Sequence, residues 1–160
     1  MIKAGPLRDL ALIGGLNFGA DPNVLKVLPG VRASWQVPGF IFLNTDFAAF
    51  IDASGGLASG GAPSTGNSFM VDVNWLLPIS LAGQSFSFTG HAEYIGRTTD
   101  ELGNTVRGWI LAQPQFRWDL GGALGAPNRF FAGIEYQYWR NKLGTRNHDN
   151  VVQLLLVWQL

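Results

Sequence analysis

Between Arg107 and Leu120 side chains of two kinds alternate. Arg107, Trp109, Leu111, Gln113, Gln115, Arg117 and Asp119 interleave with Gly108, Ile110, Ala112, Pro114, Phe116, Trp118 and Leu120. A period of two is the signature of a β-strand with unlike faces. Here one face is mostly polar and carries three charges, and the other is apolar or small. The stretch is long for a strand in a soluble domain but long enough to cross a bilayer at a tilt.

The same design recurs at residues 9–18, 24–37, 40–52, 68–77, 84–97, 129–142 and 150–160. Phe40 to Asp52 is the cleanest case, with Ile41, Leu43, Thr45, Phe47, Ala49 and Ile51 against Asn44, Asp46, Ala48, Phe50 and Asp52. Residues 54–67 are mostly Gly, Ser, Ala, Pro and Thr with little to bury, and read as a loop. Eight consecutive strands predict an all-β, antiparallel up-and-down β-barrel occupying residues 1–160 as a single domain. No window reaches 18 consecutive apolar residues, so a transmembrane helix is not expected. The opening MIKAGPLRDLALIGGLNFGA has the basic start and short apolar run of a leader peptide. Asp9, the central glycines and Asn17 interrupt that run, so the numbering is read as beginning inside a mature or truncated chain.

Periodicity does not say which face is enclosed, but volume and charge do. An eight-stranded barrel has an interior just wide enough for its inward side chains. The bulky apolar face, with Trp35, Trp75, Trp118 and Trp158 among many Phe and Tyr, would overfill it. Charged residues make up 14% of the chain, against about a quarter in soluble domains, so a water-facing exterior would be poorly supplied. The apolar face is therefore expected to meet membrane lipid. The four tryptophans precede Pro38, Pro78, Gly121 and the C-terminus by two or three residues, which predicts an aromatic girdle at one rim. Tyr136 and Tyr138 fall toward the other. Short connections at the tryptophan rim and the long 54–67 loop opposite predict an outer-membrane orientation with both termini periplasmic.

With lipid outside, the candidate lumen and solute-binding residues are Arg32, Asp46, Phe50, Asp72, Asn74, His91, Glu93, Arg107, Trp109, Gln113, Gln115, Arg117, Glu135, Gln137 and Trp139. Such groups can pair with one another and plug the interior. Alternatively they can hydrogen-bond a hydrophilic solute while Phe50, Trp109 or Trp139 stack on a planar ring. Catalysis is not expected. There is no cysteine and no nucleophile-elbow motif, and His91 with Glu93 is too sparse a set to predict a metal. No cofactor is implied, and a formal net charge of +0 gives no footprint for nucleic acid.

Several short motifs resemble the Tsx-like nucleoside-specific channel-forming outer-membrane proteins. They are Gly15-Leu16-Asn17, Val37-Pro38-Gly39-Phe40, Trp75-Leu76-Leu77-Pro78, Phe88-Thr89-Gly90 with Tyr94-Ile95-Gly96, Tyr136 through Gly144, and the closing Leu156-Val157-Trp158. The resemblance implies passive uptake of nucleosides or similar small polar solutes, with loops that can double as phage or colicin receptors. Family members resemble twelve-stranded barrels, so this chain would correspond to about the C-terminal eight strands, and it ends in Leu160 where an aromatic closes such barrels. Two further readings stand beside the channel: a non-conducting eight-stranded outer-membrane barrel with a structural or adhesive role, and a soluble ligand-binding β-barrel.

Overall fold

A computed structural model describes residues 6–159. Met1–Gly5 and Leu160, which belong to the leader reading and to the predicted end of the last strand, lie outside the described residues. The strands are β1 (Leu7–Ala20), β2 (Asn23–Trp35), β3 (Phe42–Asp52), β4 (Ser68–Leu81), β5 (Gln84–Ile95), β6 (Thr98–Thr99), β7 (Thr105–Val106), β8 (Trp109–Ala112), β9 (Gln115–Asp119), β10 (Phe130–Arg140) and β11 (Asp149–Trp158). One turn of α-helix, α1 (Leu120–Ala123), follows β9. The main sheet is an antiparallel meander in the order β1-β2-β3-β4-β5-β8-β10-β11, with β9 continuing the rung of β8 between β5 and β10. β6 and β7 pair only with each other, as a ribbon in the loop between β5 and β8. Among the described residues, β1 has β2 as its only strand neighbour and β11 has β10.

The stretch from Arg107 to Leu120 is not one unbroken strand. Pro114 has no N–H to give to a ladder, and the strand breaks at Gln113-Pro114 into β8 and β9. The break is held from both sides, because the Gln113 amide donates to the His91 carbonyl at 2.9 Å and the Tyr136 amide to the Pro114 carbonyl at 3.0 Å. Opposite lies Gly90, at φ 147°, where a Cβ would run into the Gln113 carbonyl. Only glycine allows that approach. Arg107 and Gly108 precede the strand, and Leu120 starts α1, which Asp119 caps by accepting from the Gly122 amide at 2.8 Å.

Pro78 does not end β4 as expected. It sits opposite Ser87, and the strand runs on to Leu81 before turning at Ala82-Gly83. Both turn residues have positive φ, 50° and 74°, the backbone of a type I′ hairpin turn whose twist matches the flanking strands. The turn sets the register of β4 against β5, and the register decides which polar side chains meet across the two strands.

The burial pattern is inverted relative to a water-soluble sheet. Leu154 is 91% and Leu12 89% exposed, and Phe18, Phe47, Ile134, Leu156 and Trp158 also face outward. Asp46 is 5% and Asp72 8% exposed, with Asn44 and Asp119 similarly enclosed. The buried apolar residues are few: Phe50, Ile95 and Trp109 form one cluster, which Leu28 of β2 and Trp139 of β10 pack against. Side chains from near both ends of the strand order thus reach one cluster, so the sheet curls around its polar face.

Connections divide between two rims. On one are residues 36–41, Ala82-Gly83, the α1 segment, the start of β1 opposite Trp35 and the end of β11 opposite Phe130. The other carries the two-residue β1–β2 turn and the longer segments 53–67, 96–108 and 141–148. Trp35 and Trp158 end their strands at the first rim, and Trp118 lies one residue from the end of β9. Trp75 lies mid-strand opposite Gly90, four residues along β5 from Phe86, the partner of Trp118.

Candidate functional site

The enclosed face is organised by register into adjacent cross-strand rows. In the first row Arg32 of β2 lies opposite Asp46 of β3, Asp46 opposite Asp72 of β4, and Asp72 opposite Glu93 of β5. In the next, Asn44 lies opposite Asn74 and Asn74 opposite His91. Like charges directly opposite each other in a sheet destabilise it, so three consecutive carboxylates require compensation.

Part of that compensation is visible. Arg32 grips Asp46 with two bonds, Nε to Oδ1 at 2.7 Å and Nη2 to Oδ2 at 2.6 Å. This planar fork is the strongest form of the pair. Asn44 donates to Asn74 Oδ1 at 2.9 Å, and Asn74 donates to Asp72 Oδ2 at 2.9 Å. His91 Nδ1 lies 3.0 Å from Asp72 Oδ1, and its Nε2 lies 3.0 Å from Gln113 Oε1. Gln113 in turn donates to Glu135 Oε1 at 3.2 Å and to Gln137 Oε1 at 3.4 Å. Gln115 donates to Glu135 Oε2, and Arg117 Nε donates to Gln115 Oε1 at 2.8 Å. A belt of hydrogen bonds therefore runs from Arg32 to Arg117 across the concave face.

Eleven of the fifteen residues singled out from the sequence fall in or beside this belt: Arg32, Asp46, Asp72, Asn74, His91, Glu93, Gln113, Gln115, Arg117, Glu135 and Gln137. Glu93 is beside it, its side chain making no hydrogen bond to a described residue. Phe50, Trp109 and Trp139 gather instead in the aromatic cluster toward the long-loop rim. Phe50 and Trp109 meet edge to face there, with ring centroids 5.9 Å apart. Arg107 joins neither group; it lies in an open groove among the loops with Arg97 and Arg146. Asn44 is a belt residue outside that set, although its place between Leu43 and Thr45 on the polar side of β3 signals it.

A cavity of about 490 Å³ opens at the long-loop rim between the β1–β2 turn and the loops, walled by Phe50, Trp109, Ile95, Pro63, Lys26 and Ser68. One wall is fixed by Lys26 Nζ, 2.5 Å from Asp52 Oδ2, with Thr65 donating from its amide to the same oxygen at 2.5 Å. The register places Lys26 opposite Asp52, so this pair follows from the hairpin and not from spacing along the chain. The Ser68 hydroxyl is buried with no hydrogen-bond partner among the described residues, as is the Trp139 indole N–H. Such unsatisfied groups cost about 1–3 kcal/mol each; of the two residues, Ser68 lines the cavity.

Outside the strands, Glu101 locks the loops together. It accepts from the Leu57 amide at 2.7 Å and the Ser64 hydroxyl at 2.8 Å, and these bonds hold its carboxyl below its ordinary pKa.

Among the described residues, Asp72, His91 and Glu93 bring ligand-type atoms within 4.8 Å of one another. Arg32, Asp46 and His91 offer donors and acceptors for small polar groups, and the aromatic cluster offers ring edges and faces. Comparison with protein-family models, with curated proteins and with solved structures gives no match to this chain.

Proposed function

We propose that the sheet is the wall of an outer-membrane β-barrel whose polar face lines a passage for small hydrophilic solutes, nucleosides among them. The observation that carries this reading is the inverted burial: leucines and phenylalanines outward, carboxylates and amides inward. Water selects against that arrangement, and hydrocarbon selects for it. The strands of 10–14 residues suit a tilted crossing, and β8 and β9 in line span the same sheet between β5 and β10. The rim with both strand termini and the shorter connections is then periplasmic, and the long loops face outward. By their resemblance to the Tsx-like proteins, those loops are also candidate phage or colicin contacts.

The solute reading draws on two places. The cavity at the long-loop rim offers Phe50 and Trp109 to a planar ring, and the belt below it offers Asp, Asn, Gln and Arg groups to hydroxyls. One observation favours a second reading, a barrel that does not conduct: the belt residues bond to one another from Arg32 to Arg117 and so can act as a plug.

Planar-bilayer conductance with and without adenosine decides between them. The channel predicts a steady current that adenosine reduces. Absence of current from protein that folds only in detergent or lipid leaves the non-conducting barrel, and a monodisperse monomer in plain buffer removes both in favour of a soluble binding sheet.

A further inference from the structure

Both ring nitrogens of His91 face acceptors. The Gln113 amide is oriented by its Nε2, which points at Glu135 Oε1 and Gln137 Oε1, so it is the carbonyl oxygen that meets His91 Nε2. The other nitrogen, Nδ1, meets a carboxylate oxygen of Asp72. A neutral imidazole has one donor and one acceptor, so with Nε2–H given to Gln113 a lone pair would face the Asp72 carboxylate at 3.0 Å. A positive centre belongs between them.

A proton on Nδ1 would give Asp72 a donor. Glu93, directly opposite Asp72, would still have no side-chain hydrogen bond to a described residue. With a neutral imidazole and all three carboxyls ionised, the row from Arg32 through Asp46 and Asp72 to Glu93 carries two net negative charges, which a divalent cation cancels.

We propose that Asp72, His91 and Glu93 form a binding site for a divalent first-row transition metal ion, with Zn²⁺ the best fit. His91 Nδ1, one Asp72 oxygen and one Glu93 oxygen lie within 4.8 Å of one another, so small side-chain movements bring three ligands around one ion. One imidazole with two carboxylates suits Zn²⁺ and its neighbours, whereas Ca²⁺ and Mg²⁺ take oxygen alone. The His91–Gln113–Glu135 chain supplies the outer partner that fixes a ligating histidine's tautomer and orientation. The His91 side chain is about a third exposed to the concave face, which gives an ion a route in and leaves a coordination position for water. The site stands independently of conduction, because it rests on the register of β4 and β5 and not on a continuous pore.

The test is a titration of the full chain, folded in detergent micelles at neutral pH, with Zn²⁺ by calorimetry and with Co²⁺ by visible absorption. One saturable site is expected. His91→Ala abolishes it, Glu93→Gln weakens it at least tenfold, the low end of what even outer-shell changes cost, and His148→Ala leaves it unchanged. Glu93→Gln removes no hydrogen bond to a described residue and keeps the side-chain shape, so its fold is expected to survive where His91→Ala fails to fold. Absence of saturable binding, or undiminished affinity in Glu93→Gln, overturns the proposal. So does a ¹⁵N spectrum of His91 in which both ring nitrogens stay protonated in excess Zn²⁺.

Discussion

Replacing Leu154 with arginine tests the orientation of the whole sheet at one position. Leu154 is the sixth of the ten residues of β11, lies opposite Ile134, and has 91% of its surface open. In water such a side chain has almost no packing to lose, and surface substitutions of this kind stay within about 0.5 kcal/mol. In a bilayer the same position lies near the midplane, where a lipid-facing arginine costs about 2–4 kcal/mol. That is roughly a 30- to 700-fold change in the folding equilibrium. Leu154→Ala separates the two solvents a second way: it removes about 2 kcal/mol of hydrocarbon transfer in lipid and almost nothing in water. The assay is urea unfolding of protein inserted in phospholipid vesicles, followed by tryptophan fluorescence. Ile134→Arg serves as a companion, since β10 is paired on both sides and its response is free of any edge effect. If both arginine variants unfold within about 0.5 kcal/mol of the parent, the apolar face is not in hydrocarbon and the reasoning fails.

The belt and the loops give further expectations. Asp46→Ala strands the Arg32 guanidinium and is expected to cost about 2 kcal/mol, less than the 3–5 of a fully enclosed pair because Arg32 still reaches solvent; adding Arg32→Ala should recover part of it in the same unfolding assay. Because Glu101 is held below its ordinary pKa, its contribution to loop docking is complete above the ordinary carboxylate range and is lost as the pH falls through the lowered value. Protection of the Leu57 amide, its exchange rate taken relative to the unstructured rate at the same pH, should therefore fall on acidification in the parent, and Glu101→Gln should show the lower protection already at neutral pH.

The strands were legible because alternation is a local property: each pair of adjacent residues declares which face is which. The enclosed polar face was legible for the same reason, and Asp46, Asp72, His91 and Gln113 lie on it. Their partners were not, because partnership depends on register. Asp72 meets Glu93 only because the β4–β5 turn falls at Ala82-Gly83, and an alanine with positive φ is a conformation no residue pattern announces. Pro78 and Pro114 show the limits of a local signal from the other side. Pro78 suggested an ending and is carried inside β4, whereas Pro114 fitted the alternation and breaks the strand. The aromatic cluster needed tertiary information as well: nothing along the chain brings Phe50 to Trp109 except the curl of the sheet.

The outermost strands, β1 and β11, each have a flank whose amides and carbonyls meet no other strand of the described chain. Oil supplies neither donors nor acceptors, and the orphaned peptide groups along two strands of 14 and 10 residues, at several kcal/mol apiece, would exceed the roughly 5–15 kcal/mol by which a domain of this kind holds together. Any lipid-immersed form must therefore join these flanks to peptide, and the two run in opposite directions, as hydrogen-bonded neighbours in this sheet do throughout. Away from lipid the same flanks are templates for intermolecular strand addition, so material released into plain buffer is expected to grow into aggregates until detergent or bilayer is restored.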